Sequence, residues 1–123
     1  MNRRNSHQFT SVALLVIGLA IPTLAQSGIW HKTGSMNTAR YYHAAVLLTN
    51  GQVLVLGGGG NSNGTILASA ELYDSSKAKW TITGSIARAA PTVTLLQSGR
   101  VLVTGGGGGT TTELYDPSTG TWR

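Results

Sequence analysis

The side chains able to do chemistry in this chain are few. Cysteine is absent, so a catalytic thiol, a thiolate metal site and a disulfide framework are all excluded. The acids are Glu71, Asp74, Glu113 and Asp116, and they are two positions written twice. A catalytic pair needs one carboxylate tuned up and one tuned down, which a repeated position does not supply. Repetition points instead to a scaffold role, with Asp74 and Asp116 opening turns by accepting from nearby backbone N–H groups. The densest polar and aromatic stretch is Arg40-Tyr41-Tyr42-His43.

The glycine runs 57–60 and 105–109 invite a nucleotide reading, but the spacing fails. A dinucleotide fingerprint beginning at Gly57 would need glycine at Ser62, and one beginning at Gly105 would need it at Thr110. Gly59 to Gly64 has the P-loop gap, yet Thr65-Ile66 follows where Lys-Ser/Thr is required. Asn63-Gly64-Thr65 fits a glycosylation sequon.

The elements that carry these residues are repeated. From Arg40 to Gly58 the chain recurs at an offset of 48, with Arg88, Gly99 and Gly105-Gly106 answering Arg40, Gly51 and Gly57-Gly58. From Glu71 to Trp80 the offset is 42, with Glu113-Leu114-Tyr115-Asp116 and Trp122 answering Glu71-Leu72-Tyr73-Asp74 and Trp80. A period in the forties marks a stacked-repeat architecture. Seventeen glycines and only 11% charged residues, around short β-rich runs, favour an all-β chain.

Each copy predicts four short strands, at 43–49, 52–56, 69–73 and around Trp80, then at 91–97, 100–104, 112–115 and around Trp122. Asn50-Gly51 and Ser98-Gly99 predict tight turns, Asn-Gly as a two-residue hairpin with both residues at positive φ. Residues 53–56 and 101–103 are apolar at every position, which suits a sheet covered on both faces. Four-stranded sheets stacked radially make a β-propeller.

The order Arg40, His43, Gly51, Gly57-Gly58, Tyr73, Trp80 resembles the kelch repeat, as does Arg88, Gly99, Gly105-Gly106, Tyr115, Trp122, with Pro91 in place of the histidine. The resemblance implies one propeller blade per repeat, the glycine pair ending the second strand and the rings packing between blades. The repeats span about 33–82 and 83–123, and Trp30 places the outer strand of a further repeat at 29–32. Propellers have typically 4–8 blades. Two repeats therefore read either as the opening of a larger propeller or as a unit whose copies close one ring together.

Residues 1–25 read as a signal peptide, with Arg3 and Arg4 before a short apolar run and small residues before Gln26. The run is shorter than the ~20 residues that cross a bilayer, so no stable membrane anchor is expected after cleavage. The expected address is secreted, outside the cytoplasm. Without Arg3 and Arg4 seven basic residues face four acids, a net charge of +3, and the basic residues are scattered. Nucleic-acid binding is not expected.

The stretch Arg40-Tyr41-Tyr42-His43, followed by Leu47-Leu48, Gly51 and the glycine run, resembles the part of galactose oxidase that supplies a Tyr and a His to copper. The resemblance implies Tyr42 and His43 as ligands. Two features depart from it: the second copy has Ala90-Pro91 there, and the cysteine that cross-links that family's radical tyrosine has no counterpart. Two functions follow as expectations. One is a secreted non-catalytic module that binds protein or carbohydrate and needs no cofactor. The other is the front of a copper-radical oxidase. Strand alternation gathers the unequal loops at one end, where Gly58 to Glu71 spans 13 positions and Gly106 to Glu113 only 7. Recognition concentrates on such loops, so the candidate contacts are Asn37, Arg40, Tyr41, Tyr42, His43, Asn61, Ser62, Asn63 and Arg88.

Overall fold

The computed structural model describes residues 28–60, 63–107 and 110–123. The expected signal peptide, 1–25, lies outside the described residues. Residues 28–30 are irregular and exposed, and His31–Arg123 forms a unit that holds all the strands. Eight strands make two four-stranded antiparallel sheets. The first sheet is β1 (Ala44–Leu47), β2 (Val53–Leu56), β3 (Ala70–Asp74) and β4 (Lys79–Thr83), and the second is β5 (Thr92–Leu95), β6 (Val101–Thr104), β7 (Glu113–Asp116) and β8 (Thr121–Trp122). Each strand pairs with the next in sequence, so both sheets are meanders. The described residues are all-β, as the repeat predicts, and each repeat is one four-stranded antiparallel blade.

The β1–β2 hairpin differs from expectation. Gly51 is at φ 82, but Asn50 is not in the left-handed region. Leu48 N–H donates to Gln52 O at 2.8 Å and Gly51 N–H to Leu48 O at 3.0 Å. That is a three-residue loop in which one αL glycine follows an ordinary turn. The second copy repeats it through Leu96, Gly99 (φ 79) and Arg100, which explains why Ser98 can replace Asn50: neither residue has to be left-handed.

The blades pack face to face. Leu54, Leu56 and Ala70 of the first blade join Val101, Val103 and Tyr115 of the second in one buried cluster. Register puts Val46, Leu54 and Leu72 on one line across the first sheet, and Leu95, Val101, Tyr115 and Trp122 on one line across the second. The all-apolar β2 is buried from Leu54 to Leu56, as a strand covered on both faces requires. The first strands of the blades, β1 and β5, are neighbours.

The glycine pairs allow the close approach between elements. A Cβ on Gly58 would stand 2.3 Å from Tyr41 O, and one on Gly106 2.3 Å from Ala89 O. Gly57 approaches the other blade, where a Cβ would lie 2.4 Å from Arg88 O, and Gly58 N–H donates to that same oxygen at 2.9 Å. Tyr73 and Trp80 stack with centroids 4.9 Å apart, and Tyr115 and Trp122 do so at 4.8 Å. Thr33 and Gly34 serve these rings as Thr83 and Gly84 serve the next pair. Thr33 shares a hydrogen bond with the Tyr73 hydroxyl, and Thr83 shares one with Tyr115 at 2.6 Å. Trp80 Nε1 donates to Gly34 O at 2.9 Å, whereas Trp122 Nε1 is buried with no partner among the described residues.

Candidate functional site

The end of the blades that carries the 57–69 connection and the links before β1 and β5 holds the expected contacts. Building it from the buried side outward shows how they divide. Arg40 enters the interior, where its guanidinium donates to Gly57 O (3.1 Å), Ser69 O (2.9 Å), Ser69 Oγ (3.0 Å) and Glu71 Oε1 (2.8 Å). Both side chains of this pair are fully buried. Glu71 also accepts from Asn37 N–H (2.7 Å), Asn37 Nδ2 (2.9 Å) and Thr38 N–H (3.0 Å). Burial pushes the Glu71 carboxyl up, but the donors from Asn37, Arg40 and Thr38 outweigh it and hold the group below its ordinary value.

Arg88 repeats this arrangement on Gly105 O, Thr111 and Glu113. The second network is looser. Its Nε meets Glu113 Oε2 at 3.3 Å, and the Glu113 side chain stays 30% exposed. The cause is in the sequence. Met36 to Arg40 is two residues longer than Ile86 to Arg88, so nothing in the second copy takes the places of the two backbone donors on Glu71.

Arg40 and Arg88 are therefore committed inside the protein, and Asn37, though exposed, spends its N–H and Nδ2 on Glu71. Asn61 and Ser62 lie outside the described residues. Tyr41, Tyr42, His43 and Asn63 remain at the surface.

Tyr41 is positioned by backbone bonds in both directions with Gly59 (3.0 and 2.9 Å), and a Cβ on Gly59 would collide with its ring. Tyr42 stands edge-on to it, with centroids 5.4 Å apart and planes at 74°. Tyr42 is 79% exposed and holds φ 51. Left-handed backbone is unusual for a bulky residue, and the matching position, Ala90, holds φ 47. The conformation belongs to the repeat, and the tyrosine is what this copy places on it. His43 follows at the mouth of β1, exposed, with no hydrogen bond among the described residues. The chemistry on offer is two aromatic faces, a phenol and an imidazole. No three His, Asp or Glu side chains come together among the described residues.

Comparisons with known proteins agree with this architecture. Residues 40–85 match the model of the Kelch motif. Eighty-three chains of solved structures match the protein. One is a fungal alcohol oxidase of the AA5 family in complex with copper, at 22% identity and a TM-score of 0.55 over 68% of this chain. The present chain spans 18% of that oxidase's length, and the likeness is one of fold. No curated protein matches the chain. The motif marks the first repeat as kelch-type, and the fold is that of propeller blades.

Proposed function

We propose that this is a secreted, non-catalytic binding module whose blades present Tyr41, Tyr42 and His43 to a protein or carbohydrate ligand. The observation that carries the reading is Tyr42. It stands 79% exposed on a left-handed position that the other copy fills with Ala90, so this copy turns a large ring into solvent beside Tyr41. An exposed aromatic pair beside an imidazole provides stacking faces and polar tips at one place. Arg40 supports the link from below without reaching the ligand. Self-association through blade faces is a further partner mode of the same module. The test is retention on immobilised neutral and acidic glycans and on extracellular protein fractions, comparing the full chain with Tyr42→Ala and Tyr41→Ala. Loss of retention on substitution supports the reading. Retention that survives both substitutions overturns it.

A second reading has one observation in its favour. The AA5 oxidase that shares the fold is a copper complex, and Tyr42-His43 would offer copper a phenolate and an imidazole. The fit is incomplete: two donors do not make a copper site, and no group of three His, Asp or Glu side chains comes together among the described residues. No oxidase step is derived for this chain. Copper titration separates the readings. Stoichiometric binding that disappears in Tyr42→Phe and His43→Ala would favour the oxidase, and unchanged tyrosine and histidine NMR signals would favour the binding module.

A further inference from the structure

The opposite end of the blades, where the short hairpin turns lie, carries a second feature. A cleft of about 380 Å³ opens there between the two blades. That is within the size range of small-ligand sites. Thr49 of the β1–β2 turn forms one wall, its hydroxyl 3.6 Å from where a Cβ on Gly99 would stand. Asn50 stands beside it, and Ser98, Gly99 and Arg100 of the β5–β6 turn and Asp116, Pro117 and Ser118 of the β7–β8 turn form the rest.

The two repeats differ at the group that matters. In the first blade Asp74 is paired within its own turn by Lys77 at 2.5 Å, and position 52 is Gln52, which accepts from Asn50 Nδ2. In the second blade Thr119 replaces Lys77 and Arg100 replaces Gln52. Arg100 therefore pairs across the sheet, its Nε 3.4 Å from Asp116 Oδ2. Asp116 is itself fixed by Ser118, whose N–H and Oγ reach Oδ1 at 3.0 and 2.6 Å. The guanidinium is thus oriented through Nε, while its terminal nitrogens have no partner among the described residues and the side chain is 40% exposed. A planar guanidinium with both terminal nitrogens available is the geometry that receives a carboxylate two-pronged.

The remaining lining selects the rest of the ligand. The Thr49 and Ser98 hydroxyls have no partner among the described residues and can both donate and accept. Asp116 keeps acceptor capacity on Oδ2 beside the arginine. Pro117 is the apolar residue of the lining. Hydroxyls on two walls, an acceptor carboxylate and a small apolar patch suit a polyol better than an amino-acid side chain. We infer that this inter-blade cleft binds a carboxylate-bearing sugar, the uronic-acid unit of an acidic saccharide, with Arg100 on its carboxylate. The site is separate from the Tyr41–Tyr42 face and does not depend on it.

The probe is galacturonate and its short oligomers, titrated into the full chain at low salt and followed by amide NMR. Shifts confined to the three turns that line the cleft, at 49–51, 98–100 and 116–118, are expected, with galactose weaker by about tenfold or more, the step lost with one charge-assisted bond. Arg100→Gln, which writes the first blade's residue into the second, removes the preference. Arg100→Lys keeps the charge without the fork and weakens galacturonate binding relative to wild type, and it serves if the Gln variant folds poorly. Equal affinity for galactose, unaltered binding in both variants, or shifts elsewhere overturns the proposal. So does inorganic sulfate or oligoglutamate binding as tightly as galacturonate, because the saccharide part would then contribute nothing.

Discussion

Arg40 and Glu71 meet at 2.8 Å with both side chains sealed from solvent, and their counterparts Arg88 and Glu113 meet at 2.9 Å with the glutamate 30% exposed. The protein thus holds one ion pair in two degrees of burial within a single fold. Removing one partner of a fully buried pair leaves a charge without compensation. Glu71→Ala is expected to cost about 3–5 kcal/mol by that mechanism. Glu113→Ala should cost about 1–3 kcal/mol, because water reaches the arginine it leaves behind. Urea unfolding of the two variants checks this, and equal losses would show that burial does not set the difference.

Gly57 and Gly105 share φ 67 and the same place in the repeat. A Cβ on Gly57 would stand 2.4 Å from Arg88 O, while one on Gly105 would meet nothing within 4 Å. Backbone strain is therefore common to both substitutions, and close approach belongs to one. Gly105→Ala should cost about 1–2 kcal/mol for left-handed backbone alone. Gly57→Ala should cost about 2 kcal/mol more, since the inter-blade link has to move. The comparison needs only the unfolding midpoints of the two variants.

These positions also show what was legible in advance. The blades could be read because residues of definite physical demand recur in register: a glycine pair where backbones touch, Tyr and Trp where rings fill the space between sheets. The turn at Asn50-Gly51 was harder, since its composition suits two hairpin types and only the backbone bonds to Leu48 and Gln52 decide between them. The inward course of Arg40 was hidden for another reason. An arginine beside two tyrosines reads as surface, and its acceptors at Gly57, Ser69 and Glu71 are brought to it only by the fold. The cleft at Arg100 could not be read at all, because its walls come from both blades.

Ala78 carries a cost that its counterpart avoids. It closes the β3–β4 turn at φ 49, where the second blade has Gly120 at φ 69. The left-handed region costs an L-residue roughly 1–2 kcal/mol, partly offset by the extra freedom glycine has when unfolded. Ala78→Gly should therefore stabilise the protein by about 0.5–1 kcal/mol. Gly120→Ala should destabilise it by a similar or larger amount. A lower melting temperature for Ala78→Gly would contradict the strain.

Stability should fall on acidification, and Asp74 and Glu71 are two of the three carboxyls that set where, Asp116, bonded by Ser118, being the third. Asp74, bonded by Lys77 and Ser76, is lowered from 3.8 to about 2. Glu71 is likewise held below its ordinary 4.5, burial being outweighed by its donors from Asn37, Arg40 and Thr38. A carboxyl whose folded pKa is depressed contributes stability that is complete above its unfolded pKa and disappears as pH falls through the folded one. The contributions of these residues should be intact at pH 6 and decline from about pH 4.5 toward pH 2, where the unfolded chain binds protons that the folded chain excludes. Glu71→Gln removes one of the three groups, so its stability should change less steeply with pH over that window. Urea midpoints measured at intervals from pH 6 to pH 2.5 decide the matter: parallel curves for wild type and Glu71→Gln would mean that Glu71 takes no part in the acid transition.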